Sequence, residues 1–167
     1  MPETGTRWLD ADQQHSWRAF VLGTTLLMEQ LDQELRRDFQ LSLPEYEILV
    51  RLSERPDRVM RMAQLADALC HSRSRVTHTI GRMEKAGLVV RENCLEDGRG
   101  VQARMTDAGY ALIERAAHVH VRGVREHLVD LCSPEDFEAL GRVMDAVTDK
   151  LIGAHPEAEI RTAKAPS

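Results

Sequence analysis

The chain has 167 residues, of which 43% are hydrophobic and 29% charged, and its formal net charge at pH 7 is −5. This length and hydrophobic content suit one folded domain with a real core, so we expect disorder only at the ends. No basic segment followed by an apolar run opens the chain, and the longest uncharged span, 19–28, is broken by Gly23, Thr24 and Thr25. We therefore expect a soluble, cytoplasmic protein that does not enter a membrane.

The charges are unevenly distributed along the chain. Between Arg55 and Arg104, ten Lys or Arg residues accompany six Asp or Glu residues, which gives this segment a local net charge of +4. The remainder is correspondingly acidic. The negative average thus conceals a basic region where nucleic acid could bind.

The N-terminal part of the chain predicts an arm followed by one long helix. Residues 1–12 show no periodicity, whereas apolar residues in 13–40 recur every three or four positions. A helix this long suits packing against a partner as well as against its own domain. The apolar positions are Trp17, Phe20, Thr24, Leu27, Leu31, Leu35 and Phe39.

Two shorter helices and one strand are predicted next. Ser42-Leu43-Pro44-Glu45 has a capping Ser, an early Pro and a Glu in the first turn, which are typical of a helix start. This helix should run to about Glu54. Residues 59–61 could add a short strand beside a later hairpin, and a compact helix should then run from Met62 to near Cys70.

The helix predicted from Ser72 to Ala86 has two distinct faces, and Gly87 should end it. The apolar face should pack on the preceding helix, while the polar and largely positive face could enter the major groove of DNA. A solvated charged face is the alternative explanation. The apolar residues are Val76, Ile80 and Met83, and the polar ones are Arg75, His78, Thr79 and Arg82.

A β-hairpin is predicted directly after this helix. The runs 88–92 and 101–105 are strand-like and are joined by a polar loop containing Asp97-Gly98-Arg99-Gly100. Arg99 could enter a minor groove, where narrowing concentrates negative potential. Asp97 could hold the loop tip in shape, or it could be an ordinary turn residue.

The C-terminal part predicts two more helices and a tail. Thr106 should cap the first helix, and Ser133-Pro134-Glu135-Asp136 should begin the second. The second helix carries a heptad seam, which we interpret as an interface with the first long helix and with a symmetry mate. The seam residues are Phe137, Leu140, Met144, Val147 and Leu151, and residues 153–167 read as a flexible tail.

These motifs together resemble the multiple antibiotic resistance regulator (MarR) family of winged helix-turn-helix repressors. The similar positions are Leu65-Ala66, Ser72-Arg73-Ser74-Arg75-Val76-Thr77, Met83-Glu84-Lys85-Ala86-Gly87-Leu88-Val89, Asp97-Gly98-Arg99 and Met105-Thr106-Asp107-Ala108-Gly109. The last corresponds to a family pattern of Leu-Thr-x-x-Gly. Two positions depart from the pattern: Gly98 stands where wings often have an Arg, and Cys94 stands where a polar residue is common.

The resemblance implies a mostly α fold with a small β-hairpin wing. A winged helix-turn-helix domain (41–106) would be flanked by long N- and C-terminal dimerisation helices (13–40 and 107–152). It also implies a homodimer on a palindromic duplex DNA operator, released by a small, often aromatic or phenolic, ligand or by oxidation. Such a ligand could lie near Trp17, Phe20 and Tyr46, for which core packing is the alternative. The DNA contacts would come from Ser72, Arg73, Ser74, Arg75, Thr77, His78, Arg82 and Arg99, with Asp97 supporting the wing.

Other functions find less support in the sequence. The spacing of the seven His residues does not suggest a metal site, and no cofactor-binding or catalytic motif is present, so we expect neither a cofactor nor an enzyme. Thiol-based redox sensing by Cys70 or Cys94 is an alternative, although Cys70 reads more simply as a buried helix residue and Cys132 as a buried or loop residue. A second alternative is a winged-helix dimer that binds proteins or effectors with little operator specificity.

Overall fold

The computed structural model describes residues 5–94 and 100–161. Most of this part of the chain is helical, and a small antiparallel sheet accompanies the helices, so the predicted fold class is confirmed. The elements are α1 (Ala11–Phe39), α2 (Leu43–Ser53), β1 (Val59–Arg61), α3 (Met62–Ala68), α4 (Arg73–Lys85), β2 (Val89–Asn93), β3 (Val101–Met105), α5 (Asp107–His127) and α6 (Pro134–Leu151). Among the described residues, no helix is both long and apolar enough to cross a membrane.

Side-chain caps fix the starts of the long helices. Asp10 and Gln13 form a capping box that begins α1 two residues before the predicted start, and Ser42 and Glu45 form one at α2. Thr106 accepts from the amide of Gly109 at α5, and Ser133 accepts from that of Asp136 at α6. A hydroxyl or carboxylate oxygen in these positions satisfies amides that have no partner within the helix.

The sheet has the strand order β1-β3-β2, with both pairings antiparallel. Ala103 at its centre lies opposite Met60 on one side and Arg91 on the other. The short strand predicted at residues 59–61 is therefore confirmed, and it flanks the hairpin as expected. The sheet thus fixes the hairpin against the helices.

The core lies between the sheet and helices α2 to α5, with one end of α1 packed on it. Gly123 lets α5 approach α1 closely, since a Cβ there would lie 2.5 Å from Glu34 Oε2. Only Leu31, Glu34 and Leu35 are buried in α1, and α6 has no buried residue. The largest fully buried side chains are Leu35, Leu41, Ile48, Leu49, Leu52, Leu65, Ile80 and Met83.

The segment after α6 differs from the predicted flexible tail as far as it is described. Residues 152–154 and 156–158 form short 3-10 turns, and the second of these packs on α3. The carboxylate of Asp67 accepts a hydrogen bond from the amide of Glu157 at 2.9 Å and pairs with His155 Nδ1 at 3.0 Å. The sequence predicted a tail because this short polar segment has no hydrophobic periodicity, and docking through hydrogen bonds leaves no such pattern.

Candidate DNA-binding surface

The turn between α3 and α4 positions the second helix of the motif. Cys70 adopts a left-handed conformation with φ of 50°, and the amide of His71 donates to Ala66 O at 2.9 Å. Ser72 then caps α4, its Oγ accepting from the amide of Arg75 at 3.2 Å. Cys70 is exposed, so the expectation of a buried helix residue was wrong. The left-handed backbone at Cys70 reverses the chain between α3 and α4, and its side chain lies on the outside of this turn.

Helix α4 presents opposite faces to the core and to solvent. Val76, Ile80 and Met83 are fully buried, as predicted. Thr79 is also buried, and its hydroxyl donates to Arg75 O at 3.0 Å, so it does not belong to the polar face. The exposed residues are Ser72, Arg73, Ser74, Arg75, Thr77, His78, Arg82 and Lys85.

The exposed face of α4 keeps most of its positive charge available. Arg73 and Arg75 form no ion pair with any described residue. The only acid of α4, Glu84, pairs with Arg91 of β2 at 2.7 Å, and hydrogen bonds from Arg91 lower the pKa of its carboxyl group. Because that negative charge is matched, it does not oppose an approaching phosphate. The face can therefore attract and hydrogen-bond a polyanion.

Arg82 differs from the other basic residues of α4. Its Nε lies 3.3 Å from Glu45 Oε1 in the first turn of α2, and its side chain is 48% exposed. This contact of Glu45 was not predicted from the sequence, because the capping pattern accounts for the residue without a partner on α4. The guanidinium is thus partly engaged before any ligand is bound.

The base of the hairpin is held by polar contacts. Glu92 of β2 accepts from Arg104 Nε at 2.9 Å, and the amide of Cys94 donates to Gly100 O at 2.8 Å. Cys94 is buried with its thiol 3.6 Å from Gln102 Oε1. Asp97 and Arg99, predicted to support and to make the wing contact, lie outside the described residues.

The three residues predicted to line a ligand cleft do not come together within one chain. Trp17 and Phe20 stack on each other at 6.0 Å on the outer half of α1 and are 57% and 41% exposed. Tyr46 is buried between α2 and α5, where its ring lies 4.6 Å from that of His120. The predicted core packing therefore holds for Tyr46 but not for Trp17 or Phe20.

His120 was not predicted as part of a binding site. Its Nδ1 atom is buried and has no hydrogen-bond partner among the described residues. Burial lowers the pKa of its imidazole and raises the pKa of the Tyr46 phenol to about 12. The two rings form an aromatic contact with one polar atom left unsatisfied.

The other His and Cys residues do not form a metal centre in the described part of the chain, where no group of three potential ligands occurs. His127 Nε2 lies 2.7 Å from Glu34 Oε1 between α1 and α5. Cys132 is partly buried after α5, with its thiol 3.6 Å from Leu128 O. These residues have structural partners.

Comparison with known proteins places this architecture among known regulators. A sequence profile described as the MarR family matches residues 41–101. The HTH-type transcriptional regulator PecS of Dickeya dadantii is 31% identical over 131 residues, which cover 74% of this chain and 79% of PecS.

Two solved structures from Streptomyces coelicolor are also similar. The MarR family transcriptional regulator AbsC shares 42% identity with a TM-score of 0.83, covering 89% of this chain and 99% of AbsC. The MarR family regulator Sco3205, solved in complex with DNA, shares 41% identity with a TM-score of 0.83, covering 87% of this chain and 91% of Sco3205.

Proposed function

Because this chain belongs to the MarR family of DNA-binding transcriptional regulators, we propose that it is a homodimeric repressor that a small ligand releases from a palindromic operator. Residues 41–106 would read DNA, and 13–40 with 107–152 would form the dimer. Its activity is DNA binding and not catalysis. The observation that carries the proposal is the exposed, basic face of α4, directly opposite the buried Val76, Ile80 and Met83.

Each α4 would enter the major groove of one half-site. Arg75 and Arg82 have the donors to recognise a guanine edge, and Ser72, Ser74 and Thr77 can bond phosphates or bases. That Sco3205 was solved in complex with DNA supports this placement. Arg99 would add the wing contact in the adjacent minor groove, a role that rests on sequence resemblance alone.

A second copy of the chain would cover the apolar surfaces that one chain leaves exposed. Val143, Val147 and Leu151 of α6 are 57%, 45% and 64% exposed. Trp17 and Leu26 of α1 are 57% and 56% exposed. Apolar surface of this extent on two helices is typical of an interface. Two-fold pairing would place the reading helices about 34–36 Å apart, one turn of the duplex.

The contact between Tyr46 and His120 is our candidate for the effector site. It keeps Tyr46 from the predicted ligand cleft and replaces Trp17 and Phe20 by His120. It joins α2 of the reading domain to α5, the first helix of the proposed C-terminal dimerisation region (107–152). The unpartnered His120 Nδ1 supports this location, since a polar ligand atom could satisfy it. An aromatic ligand that separates α2 from α5 would change the relative orientation of the two reading domains.

Selection from random duplexes, followed by gel-shift titration, tests the proposed repressor. We expect a palindromic consensus, and we expect Arg75→Ala to relax one base preference at a cost of about 1–3 kcal/mol in binding. A uniform loss on every sequence would make Arg75 a phosphate contact. No shift on any duplex at low salt would favour the alternative of a protein- or effector-binding dimer.

The effector part has its own test. A panel of aromatic acids should release the wild-type protein from its selected duplex, whereas His120→Ala should bind that duplex and resist release. Release of both proteins alike would place the effector elsewhere.

The redox alternative is tested with hydrogen peroxide on the thiol that is accessible, since Cys70 is exposed while Cys94 is buried. Release of the wild type but not of Cys70→Ser would support redox sensing over ligand binding.

A further inference from the structure

The carboxylate of Glu45 connects the start of α2 to the outer half of α4. Its Oε2 accepts from the amide and the hydroxyl of Ser42, at 2.8 and 2.7 Å, and its Oε1 accepts from Arg82 Nε at 3.3 Å. The Glu45 side chain is only 14% exposed. Three donors and partial burial therefore hold this carboxylate in one place.

The start of α2 is in turn anchored to α1. The amide of Leu43 donates to Asp32 Oδ1 at 2.7 Å, and Asp32 Oδ2 pairs with Arg36 at 2.5 Å. The first turn of α2, which carries Glu45, is thus attached to α1 by the hydrogen bond from the Leu43 amide to Asp32. Its position relative to α4 does not depend on a flexible loop.

The bond to Glu45 limits which donors of the Arg82 guanidinium can contact a ligand. Arginine has five N–H donors in one plane, and the bond to Glu45 uses the donor on Nε. The four donors on Nη1 and Nη2 have no partner among the described residues, on a side chain that is 48% exposed. The ion pair therefore restrains the guanidinium through Nε while Nη1 and Nη2 stay available to a ligand.

We propose that Glu45 is a positioning residue for Arg82, which sets how that arginine reads DNA. By occupying Nε, it leaves only the Nη1–Nη2 edge for a base or phosphate, and so determines the preference at the base pair that Arg82 faces. This inference rests on the proposed function, namely that α4 enters the major groove.

A purely structural brace is the competing explanation for the pair. Val76, Ile80 and Met83 already fasten α4 to the core, each with 1% or less of its surface exposed. A half-exposed ion pair adds little to such an anchor, because water screens it. Loss of the charge on Glu45 should therefore change the recognition of DNA and leave the stability of the fold nearly unchanged.

Glu45→Gln is the informative change, since Gln is also a normal third residue of a capping box. The full-length protein would be used to select binding sites from random duplexes, and its unfolding temperature would be measured in parallel. Glu84→Gln is the matched control, because it breaks the ion pair of α4 with Arg91 through the same change of side chain.

We expect Glu45→Gln to flatten the same consensus position as Arg82→Ala and to lower the ratio of specific to non-specific affinity about 10-fold. Glu84→Gln should leave the consensus unchanged. The double variant Glu45→Gln/Arg82→Ala should bind like Arg82→Ala alone.

Two results would overturn the inference: a wild-type consensus in Glu45→Gln, or a lower unfolding temperature with equally weakened binding to every duplex. A wild-type protein that selects no consensus would instead refute the proposed operator binding on which the inference rests.

Discussion

At the scale of single residues, Gly109 shows why the start of α5 tolerates no side chain. A Cβ at this position would overlap the carbonyl oxygen of Leu88 and lie 2.9 Å from Met105 Cγ. Leu88 O also accepts from the amide of Thr106 at 3.0 Å, so moving the Leu88 backbone away would break this hydrogen bond. The glycine of the Thr-x-x-Gly pattern is therefore explained by close packing of the helix start on the turn after α4.

Gly109→Ala should destabilise the protein by about 1–3 kcal/mol, because the backbone must shift to admit a methyl group. Gly81→Ala is the matched control: a Cβ on Gly81, within α4, would meet no atom within 4 Å, and alanine should stabilise that helix by about 0.5–1 kcal/mol. Urea unfolding at one protein concentration would measure both. Equal effects of the two changes would contradict the packing explanation.

Burial of His120 should make stability depend on pH. The folded chain lowers the pKa of this imidazole below its ordinary value of 6.5, so the unfolded chain binds the proton first as pH falls. Stability should therefore decrease as pH drops below about 6.5 and on through the lowered folded pKa. His120→Gln should flatten this dependence in urea titrations between about pH 7.5 and 5. An unchanged slope in His120→Gln would assign the effect to other groups.

Residues whose roles are local were predictable from the sequence, and residues whose roles depend on distant partners were not. Ser42, Thr106 and Ser133 cap helices within three residues, and their sequence patterns identified them. Thr79 was placed on the polar face because its angular position lies at the boundary between the two faces. The partners of Glu45 and His120 lie 37 and 74 positions away, at distances that no periodicity can indicate.

At the scale of elements, the segment after α6 acts as a tie to the helix-turn-helix motif. Glu157 donates its amide to Asp67 and accepts from Arg55 Nη2 at 2.9 Å and Gln64 Nε2 at 3.4 Å. Arg161 pairs with Glu159 and with Asp149 of α6. We name residues 155–161 the C-terminal tie. It connects the end of α6 to α3, the first helix of the helix-turn-helix motif.

Asp67→Ala should release the C-terminal tie, because it removes both the acceptor for the Glu157 amide and the partner of His155. Hydrogen exchange of amides 155–159 should accelerate while that of the α2 core amides stays unchanged. Glu138→Ala, which removes an exposed ion pair with Arg142 at 3.3 Å, is the control. If the tie exchanged no faster in Asp67→Ala than in that control, the docking would be maintained by other contacts.

For the molecule as a whole, the proposed dimer would cover the apolar surfaces of α1 and α6 that one chain leaves exposed. Val147→Lys should weaken or abolish dimerisation, because a charge would be buried within an apolar seam. Glu138→Lys also introduces a lysine into α6, at a side chain that is 75% exposed, and should leave the dimer intact. Sedimentation velocity would distinguish the two. Dimers of equal strength would exclude the α6 seam from the interface.

The charge distribution predicts salt-dependent binding by a chain that is acidic on average. The proposed phosphate contacts from α4 would release counterions, so the logarithm of the binding constant should fall linearly with that of the salt concentration. Arg73→Gln should reduce the slope by about 1 if Arg73 contacts a phosphate. Arg115→Gln, on α5, is the control and should leave the slope unchanged. A salt-independent affinity would contradict an electrostatic interface.

The division of α4 into a buried and an exposed face has a consequence for engineering. Anchoring is assigned to Val76, Ile80 and Met83, whereas the exposed residues have little part in the core. The outward side chains other than the cap Ser72 can therefore be randomised as a library without unfolding the scaffold. If α4 reads the operator as proposed, retargeting to a new DNA sequence would require changes on this helix surface, with Glu45 of α2 varied together with position 82.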